Sequence, residues 1–331
     1  MPDRIRIAVV AGGFSEERVI SMKSSETIMN GLDPELFDPI LVKIVNENWV
    51  CIVNGDEFEI DKNNFTASVH GEKLNFDFAF IIIHGTPGED GILQAYFELI
   101  GIPYSTGDSA NMGLTFDKAY TQMALRGKGF RVAKNMVLQK GDHLDEEQVR
   151  QDLGVPCFVK PSRAGSSLGI SKVKDLSELQ GALNKAFEEH STAIIESFLD
   201  GVEITCGVYR KRGELIALPV TEIVSANEFF DYDAKYLDDK TQEITPARIE
   251  ESIFINCQEL SKKIYHQLGC QGIVRIDYML VHNELFVIEL NTVPGMSVES
   301  IIPKQLKAAD KEMRSFLSDL ISEKMGTKVL Y

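Results

Sequence analysis

Residues 275–296, RIDYMLVHNELFVIELNTVPGM, decide how the rest of the chain is read. They divide into two strands, 274–281 and 285–291, around the polar turn His282-Asn283-Glu284. Side chains alternate between faces along a strand. A three-residue loop therefore places Asp277 opposite Glu289, Arg275 opposite Asn291, Met279 opposite Val287 and Val281 opposite Leu285. A two-residue loop pairs Asp277 with Ile288 and turns it away from Glu289. The three-residue register is the expectation, because it sorts one face into an apolar end and a polar end. Two carboxylates that close repel unless a cation lies between them, and oxygen donors of this kind suit Mg²⁺. An ordinary hairpin with a solvated polar end is the alternative, and the hairpin alone does not decide.

The bulk properties narrow the classes. A chain of 331 residues is long enough for two or three domains. With 44% hydrophobic and 25% charged residues, it has the composition of a soluble globular protein. A formal charge of −16 argues against nucleic acid or an anionic membrane surface as partner. A phosphate ligand would then need a local cluster of cations. The five cysteines are widely spaced with no C-x-x-C, which fits reduced, buried thiols in a cytoplasmic protein. The first apolar run is too short for a signal segment, and no later run is long enough to span a bilayer. No internal repeat or low-complexity tract is visible.

In chain order, residues 5–11 form a continuous apolar strand of the kind buried on both faces of a parallel sheet. Gly12-Gly13 follows, then Ser15 as a candidate N-cap, with Glu16 and Glu17 opening a helix to about Gly31. A strand at 40–45, a hairpin-like excursion at 49–74 and a strand at 78–83 lead to His84-Gly85-Thr86-Pro87-Gly88-Glu89-Asp90-Gly91. A helix at 92–100 and a strand at 102–104 complete a doubly wound unit. In such sheets ligands gather at the carboxyl ends of the strands, where Glu17 and His84 fall. A histidine there could equally do no more than cap its loop.

The middle of the chain has Lys118 in a helix at 116–125, a strand from Val137, a charged helix at 145–153 and a strand at 157–160. The loop PSRAGSSLG, 161–169, and a strand at 170–173 follow. Strand, glycine-serine loop and strand can wrap polyphosphate oxygens with backbone N–H groups and hydroxyls. Lys160 at its base adds charge. No Walker motif is present, and a plain surface hairpin is the alternative. Beyond a helix at 176–190 and a strand at 193–196, ESFLDGVEIT places Glu196 and Glu203 seven residues apart around a turn. The long irregular stretch 227–246, with its aromatics and Lys235-Tyr236, has the character of a lid. A helix at 250–268 precedes the opening hairpin, and one amphipathic helix closes the chain.

Eight segments in this order resemble the D-alanine–D-alanine ligases of the ATP-grasp superfamily: GGFSEERVIS (12–21), HGTPGEDG (84–91), DK (117–118), VKPSRAGSSLG (159–169), ESFLDGVE (196–203), FFDYDAKY (229–236), GIVRIDYM (272–279) and ELNTVPGM (289–296). The resemblance implies an α/β (α+β) ATP-grasp fold with an N-terminal Rossmann-like domain at 1–105. A central subdomain at 106–195 and a C-terminal one at 196–331 then hold ATP between them. It implies ATP-dependent joining of two D-alanine molecules through an acyl phosphate, giving D-alanyl-D-alanine, ADP and phosphate for the peptidoglycan of the cell wall. Another ATP-grasp carboxylate–amine ligase, such as a D-alanine–D-lactate ligase, is the alternative.

By the same resemblance Lys118, Lys160, Ser167, Glu196, Phe198, Leu199 and Glu203 hold ATP. Asp277, Glu289 and Asn291 hold two Mg²⁺ (or Mn²⁺). Glu17, Ser166 and Tyr236 form a hydrogen-bonded set that closes the loops, while Arg275 and the N–H of Gly295 face the oxyanion. His84, Lys235, Ser300 and Ile301 contact the substrates. A cytoplasmic homodimer is the family expectation, and loops 161–169 and 227–246 are expected to order on binding ligand. Two positions depart from the family pattern: Val19 stands where an acid is usual, and SVES (297–300) replaces a threonine-led sequence.

Overall fold

The computed structural model describes residues 4–165, 168–224 and 242–326. At its amino end, β1 (Ile5–Gly12) sends alternate side chains into two cores: Ile7, Val9 and Ala11 into one, Ala8 and Val10 into the other. A strand buried on both faces has no room for polar residues, which explains its unbroken apolar run. After α1 (Arg18–Gly31), β2 (Phe37–Val45) pairs parallel to β1. The expected excursion is an antiparallel meander of β3 (Asn48–Val53), β4 (Asp56–Asp61), β5 (Thr66–Val69) and β6 (Glu72–Leu74). It extends the sheet on the far side of β2, and β7 (Phe78–Ile81) closes the other side in the order β6-β5-β4-β3-β2-β1-β7. α2 (Ile92–Ile100) follows. The strand expected at 102–104 is only a parallel bridge between Ala79 and Tyr104. Pro103 has no N–H with which to continue a ladder.

The helix expected at 116–125 is α4 (Lys118–Gly127), and a separate helix that was not expected, α3 (Ser109–Phe116), precedes it. Asp117 breaks them: its backbone is extended and its carboxylate caps α4 by accepting from the Tyr120 N–H at 3.2 Å. Next come β8 (Asn135–Gln139), α5 (Glu146–Asp152), β9 (Cys157–Pro161), β10 (Ser171–Val173), α6 (Leu179–Glu189) and β11 (Thr192–Ser197). Their antiparallel sheet runs β10-β9-β11-β8 and packs Cys157, Val159 and Ile195 against α6.

The third sheet comprises β12 (Val202–Lys211), β13 (Glu214–Ala217), β14 (Thr221–Val224), β15 (Gln242–Ile244), and, after α7 (Glu251–Gln267), β16 (Val274–Val281) and β17 (Glu284–Asn291). Helix α7 buries Cys257, Ile264 and Tyr265 against Val274, Ile276 and Tyr278. The chain then runs into two helices, not one, α8 (Ile301–Ala308) and α9 (Met313–Met325). Between them Asp310 adopts a positive φ of 51°. α9 lays Phe316, Leu317, Leu320 and Ile321 on the same core as Ile7 and Val9, so the first sheet and the last helix share one interior. Each such side chain contributes roughly 1.5–3 kcal/mol of burial free energy. All five cysteines are free and buried.

The register of the opening hairpin corrects the expected turn. The loop has two residues, His282 and Asn283, both at positive φ (48° and 66°), as a type I′ turn requires. Val281 faces Glu284, Leu280 faces Leu285, Met279 faces Phe286 and Tyr278 faces Val287. That register carried onward would set Asp277 against Ile288. A β-bulge between Asp277 and Tyr278 shifts the pairing by one, so that Asp277 faces Glu289 and Arg275 faces Asn291. An even turn and a bulge together restore what an odd turn alone was expected to give. Ser166, Ser167, Lys235 and Tyr236 lie outside the described residues, as does most of the stretch read as a lid.

Candidate active site

The glycine turn after β1 brings the first wall into place. Gly12 has φ of 108°, and a Cβ there would lie 2.4 Å from the Ile44 carbonyl oxygen, so no larger residue fits. Ser21 of α1 ties the turn down: its Oγ accepts from the Gly12 N–H at 2.9 Å and donates to the Ile82 carbonyl at 2.7 Å. Glu17 stands at the N-cap position of α1 without a side-chain capping bond, one turn earlier than Ser21 and two residues later than the expected cap at Ser15. The carboxyl end of β7 supplies His84, which is 8% exposed. Burial lowers the affinity of His84 for a proton, and Arg275 does so further, against the pull of Glu17. Its Nε2 is buried and has no hydrogen-bond partner among the described residues.

The second wall comes from the middle sheet. Lys118, the first residue of α4, donates from Nζ to the Ala164 carbonyl at 3.1 Å and lies 3.8 Å from Glu289 Oε2. Asp117 anchors the loop after β9, accepting from Ser162 Oγ and from Arg163 Nε at 2.9 Å. Those bonds hold its carboxyl below the usual range although burial, the largest single influence, acts the other way. β9 and β10 pair antiparallel, with Val159 opposite Ser171, so the glycine-serine segment does connect two paired strands. Lys160 pairs with Glu196 at 2.5 Å across β9 and β11. Burial disfavours the Lys160 charge most strongly, yet Glu196, Glu289 and Glu203 together raise its proton affinity above the ordinary value. Phe158 and Phe198 stand 6.1 Å apart, with Lys172 Nζ 4.4 Å from the Phe198 ring.

The bulged hairpin is the third wall. Asp277, 6% exposed, accepts from Arg275 twice (2.8 Å to each oxygen), from Asn291 Nδ2 at 2.8 Å and from Thr205 Oγ at 2.5 Å. Burial works against the Arg275 charge, but Asp277 first, then Glu289 and Glu243, hold its proton affinity above the usual arginine value. The turn after β17 carries Gly295, where a Cβ would come within 2.8 Å of Ser300 Oγ. Ser300 precedes α8 and makes no side-chain cap, and the N–H groups of Ile301 and Ile302 at such a helix start suit an anion.

Every candidate within the described residues lines one cavity of about 750 Å³, from Glu17 and His84 at one side to Phe198 and Glu203 at the other. The excess of acids in the sequence does not extend to this space unopposed, since Lys118, Lys160 and Arg275 each face a carboxylate in it.

Three residues of the site carried no role from the sequence. Gln122 lies one helical turn beyond Lys118, a spacing that marks a shared face. Thr205 faces Asp277 across β12 and β16. Glu89, inside HGTPGEDG, accepts from the Gly85 N–H at 2.8 Å, and burial together with Glu17 raises its pKa to about 8.

Sequence comparison completes the assignment. The family model for the "D-ala D-ala ligase N-terminus" matches residues 6–107, and that for the "D-ala D-ala ligase C-terminus" matches 124–322. The chain belongs to the D-alanine–D-alanine ligase family. A D-alanine–D-alanine ligase of Phocaeicola vulgatus is 44% identical over 320 residues, covering 96% of this chain and 98% of that relative. One from Flavobacterium johnsoniae is 45% identical over 316 residues, with 95% and 98% covered. Among solved structures, the VanG D-Ala:D-Ser ligase of Enterococcus faecalis superposes with a TM-score of 0.85 at 30% identity, covering 97% of this chain and 99% of that one. The Bacillus anthracis D-alanine–D-alanine ligase complexed with ATP gives 0.76 at 29% identity, with 97% of each covered. The fold is accordingly the ATP-grasp fold of this family, preceded by a Rossmann-like unit.

Proposed function

We infer that the chain joins two D-alanine molecules with ATP, giving D-alanyl-D-alanine, ADP and phosphate for cell-wall peptidoglycan. One observation carries this reading: a single cavity unites the Glu17–His84 wall, the Lys118–Lys160 wall and the Arg275–Asp277–Glu289 wall. Chemistry that transfers a phosphoryl group to one small acid and then couples it to a second needs all three. The proposal divides the chain into 1–105, 106–195 and 196–331, with the nucleotide between the second and third units; the presence of three separate sheets supports it, although β11 (Thr192–Ser197) runs across the second boundary.

In the first step an oxygen of one D-alanine carboxylate attacks the γ-phosphorus, the bond to the β-γ bridging oxygen breaks, and ADP leaves. Lys118 and Lys160 are placed to balance the charge of the phosphates. Glu17 takes the ammonium of that substrate, with neutral His84 beside it. In the second step the neutral amine of the other D-alanine attacks the acyl carbon, phosphate departs with its electron pair, and the new amide nitrogen gives up a proton to solvent. Arg275 and the Gly295 N–H offer donors to the oxyanion that forms between these events. The carboxylate of the second substrate suits Ser300 and the N–H groups at Ile301. Ser166, Ser167, Lys235 and Tyr236 belong to this proposal by family resemblance alone. Glu196, Phe198, Leu199 and Glu203 take the base and ribose.

Asp277, Glu289 and Asn291 fit Mg²⁺ or Mn²⁺ in kind, since all three offer oxygen donors. Among the described residues no three His, Cys, Asp or Glu side chains form a ready-made metal cage. Mg²⁺ commonly takes one or two carboxylates and completes its shell with phosphates and water, and such ions neutralise charge on the phosphoryl group. Among the described residues no helix is long and apolar enough to cross a membrane. A cytoplasmic homodimer is part of the same proposal.

The test is product identity. Incubation with ATP, Mg²⁺ and D-alanine should give D-alanyl-D-alanine by mass spectrometry, one ADP and one phosphate per dipeptide. Added D-lactate or D-serine should compete poorly. Preferential formation of a mixed product would assign the chain to another ligase of the superfamily.

A further inference from the structure

Gln122 is 3% exposed and its amide is held from both ends. Nε2 donates to Oε1 of Glu196, while Oε1 accepts from Nδ2 of Asn135, which also reaches the Ala133 carbonyl at 3.4 Å. Chemistry fixes the direction of this chain. An ionised carboxylate only accepts, so the NH₂ of Gln122 faces Glu196; its carbonyl then faces Asn135, which must offer an NH₂. Lys160 occupies the second oxygen of Glu196. Glu196 is therefore held in one orientation beside the apolar part of the cavity formed by Ala133, Phe158, Phe198 and Leu199.

We propose that Asn135 and Gln122 are positioning residues that set nucleobase specificity, holding Glu196 as an acceptor so that the site takes a purine with an amino group at position 6 and rejects a 6-oxo purine. The inference rests on the reading of this cavity as the ATP site. A 6-amino group donates to the carboxylate. A 6-oxo group sets two acceptors against each other. Gln122 sits on α4, which lines the pocket, and Asn135 on β8 behind it, so the two links agree on one polarity. Reversing either link should undo it. In Gln122→Glu a second carboxylate confronts Glu196. In Asn135→Asp the new carboxylate draws the Gln122 NH₂ to itself and turns the Gln122 carbonyl toward Glu196.

The experiment is steady-state kinetics of the full chain with D-alanine and either ATP or ITP, which differ in the group at position 6 and in whether N1 accepts or donates. The wild type should favour ATP in kcat/KM. In Gln122→Glu and in Asn135→Asp the ATP-to-ITP ratio should fall by about tenfold or more, chiefly through the KM for ATP. Gln122→Lys, which still donates to Glu196, should keep the preference. A merely structural role would lower the melting temperature or the rate with both nucleotides and leave the ratio unchanged; an unchanged ratio in both reversing variants overturns the relay. Equilibrium binding of ATP and ITP to Asn135→Asp gives the same readout where Gln122→Glu does not fold. A wild type that binds neither nucleotide overturns the ATP-site reading itself.

Discussion

Asp277 and Glu289 face each other across β16 and β17 even though the turn between these strands has an even number of residues. The bulge beside Asp277 shifts the ladder by one and leaves the outer half of the hairpin in its tight two-residue register. Two carboxylates and the Arg275 guanidinium thereby point into one cavity. Bulges re-aim side chains next to functional sites, and here the re-aimed side chain is an acid.

The first prediction follows from that pairing. Asp277→Asn, Glu289→Gln and Arg275→Met should each reduce kcat by at least about a hundredfold. Each substitution preserves most of the side-chain volume, so far-ultraviolet circular dichroism should match the wild type. Wild-type turnover in all three variants would place the chemistry away from this hairpin.

The second concerns two glycines with different neighbours. A Cβ at Gly165 would lie 2.5 Å from Glu17 Oε2, the end of a side chain that can move. A Cβ at Gly272, at φ of 69°, would lie 2.1 Å from the Ser105 carbonyl oxygen, which is backbone. Gly165→Ala should raise the KM for D-alanine with little change in melting temperature. Gly272→Ala should destabilise the fold by a few kcal/mol, because it combines strain with a clash. Calorimetry and substrate titration together separate the two outcomes; the reverse pattern would show that Glu17 takes no part in binding.

The third concerns pH. Burial, with Glu17 nearby, raises the pKa of Glu89 from 4.5 to about 8. A carboxyl with a raised folded-state pKa binds more protons folded than unfolded between those values. It therefore supports the fold at low pH and withdraws that support as pH climbs from about 4.5 to about 8. The slope is at most roughly 1.4 kcal/mol per pH unit. Glu89→Gln carries no such proton, so urea melts of this variant should depend less on pH across that window. Parallel curves for variant and wild type would mean that Glu89 is ionised throughout.

Much of the fold was legible because one-dimensional patterns carry it. The apolar run of β1, the helix at Ile92–Ile100 and the strand at Val274–Val281 are each written in a single period. The bulge was not legible: Ile288 extends an apolar strand whether or not its neighbour slips, and only the sheet decides. The break between α3 and α4 depends on Asp117, whose loop bonds to Ser162 and Arg163 come from 45 and 46 residues away. The candidate residues that the motifs named line one cavity wherever they fall within the described residues. Gln122 and Thr205 stayed hidden because each serves the cavity through a partner, Glu196 or Asp277, met only in three dimensions.

In the proposed function the cavity takes two copies of one small chiral acid, with Glu17, on one side of it, as the partner of an ammonium. The most direct measurement is phosphate release with ATP and Mg²⁺ in the presence of D-alanine, L-alanine or no amino acid. Release that rises with D-alanine concentration and stays at the background rate with L-alanine is the expected result. Equal release under all three conditions would contradict an ATP-dependent D-alanine ligase.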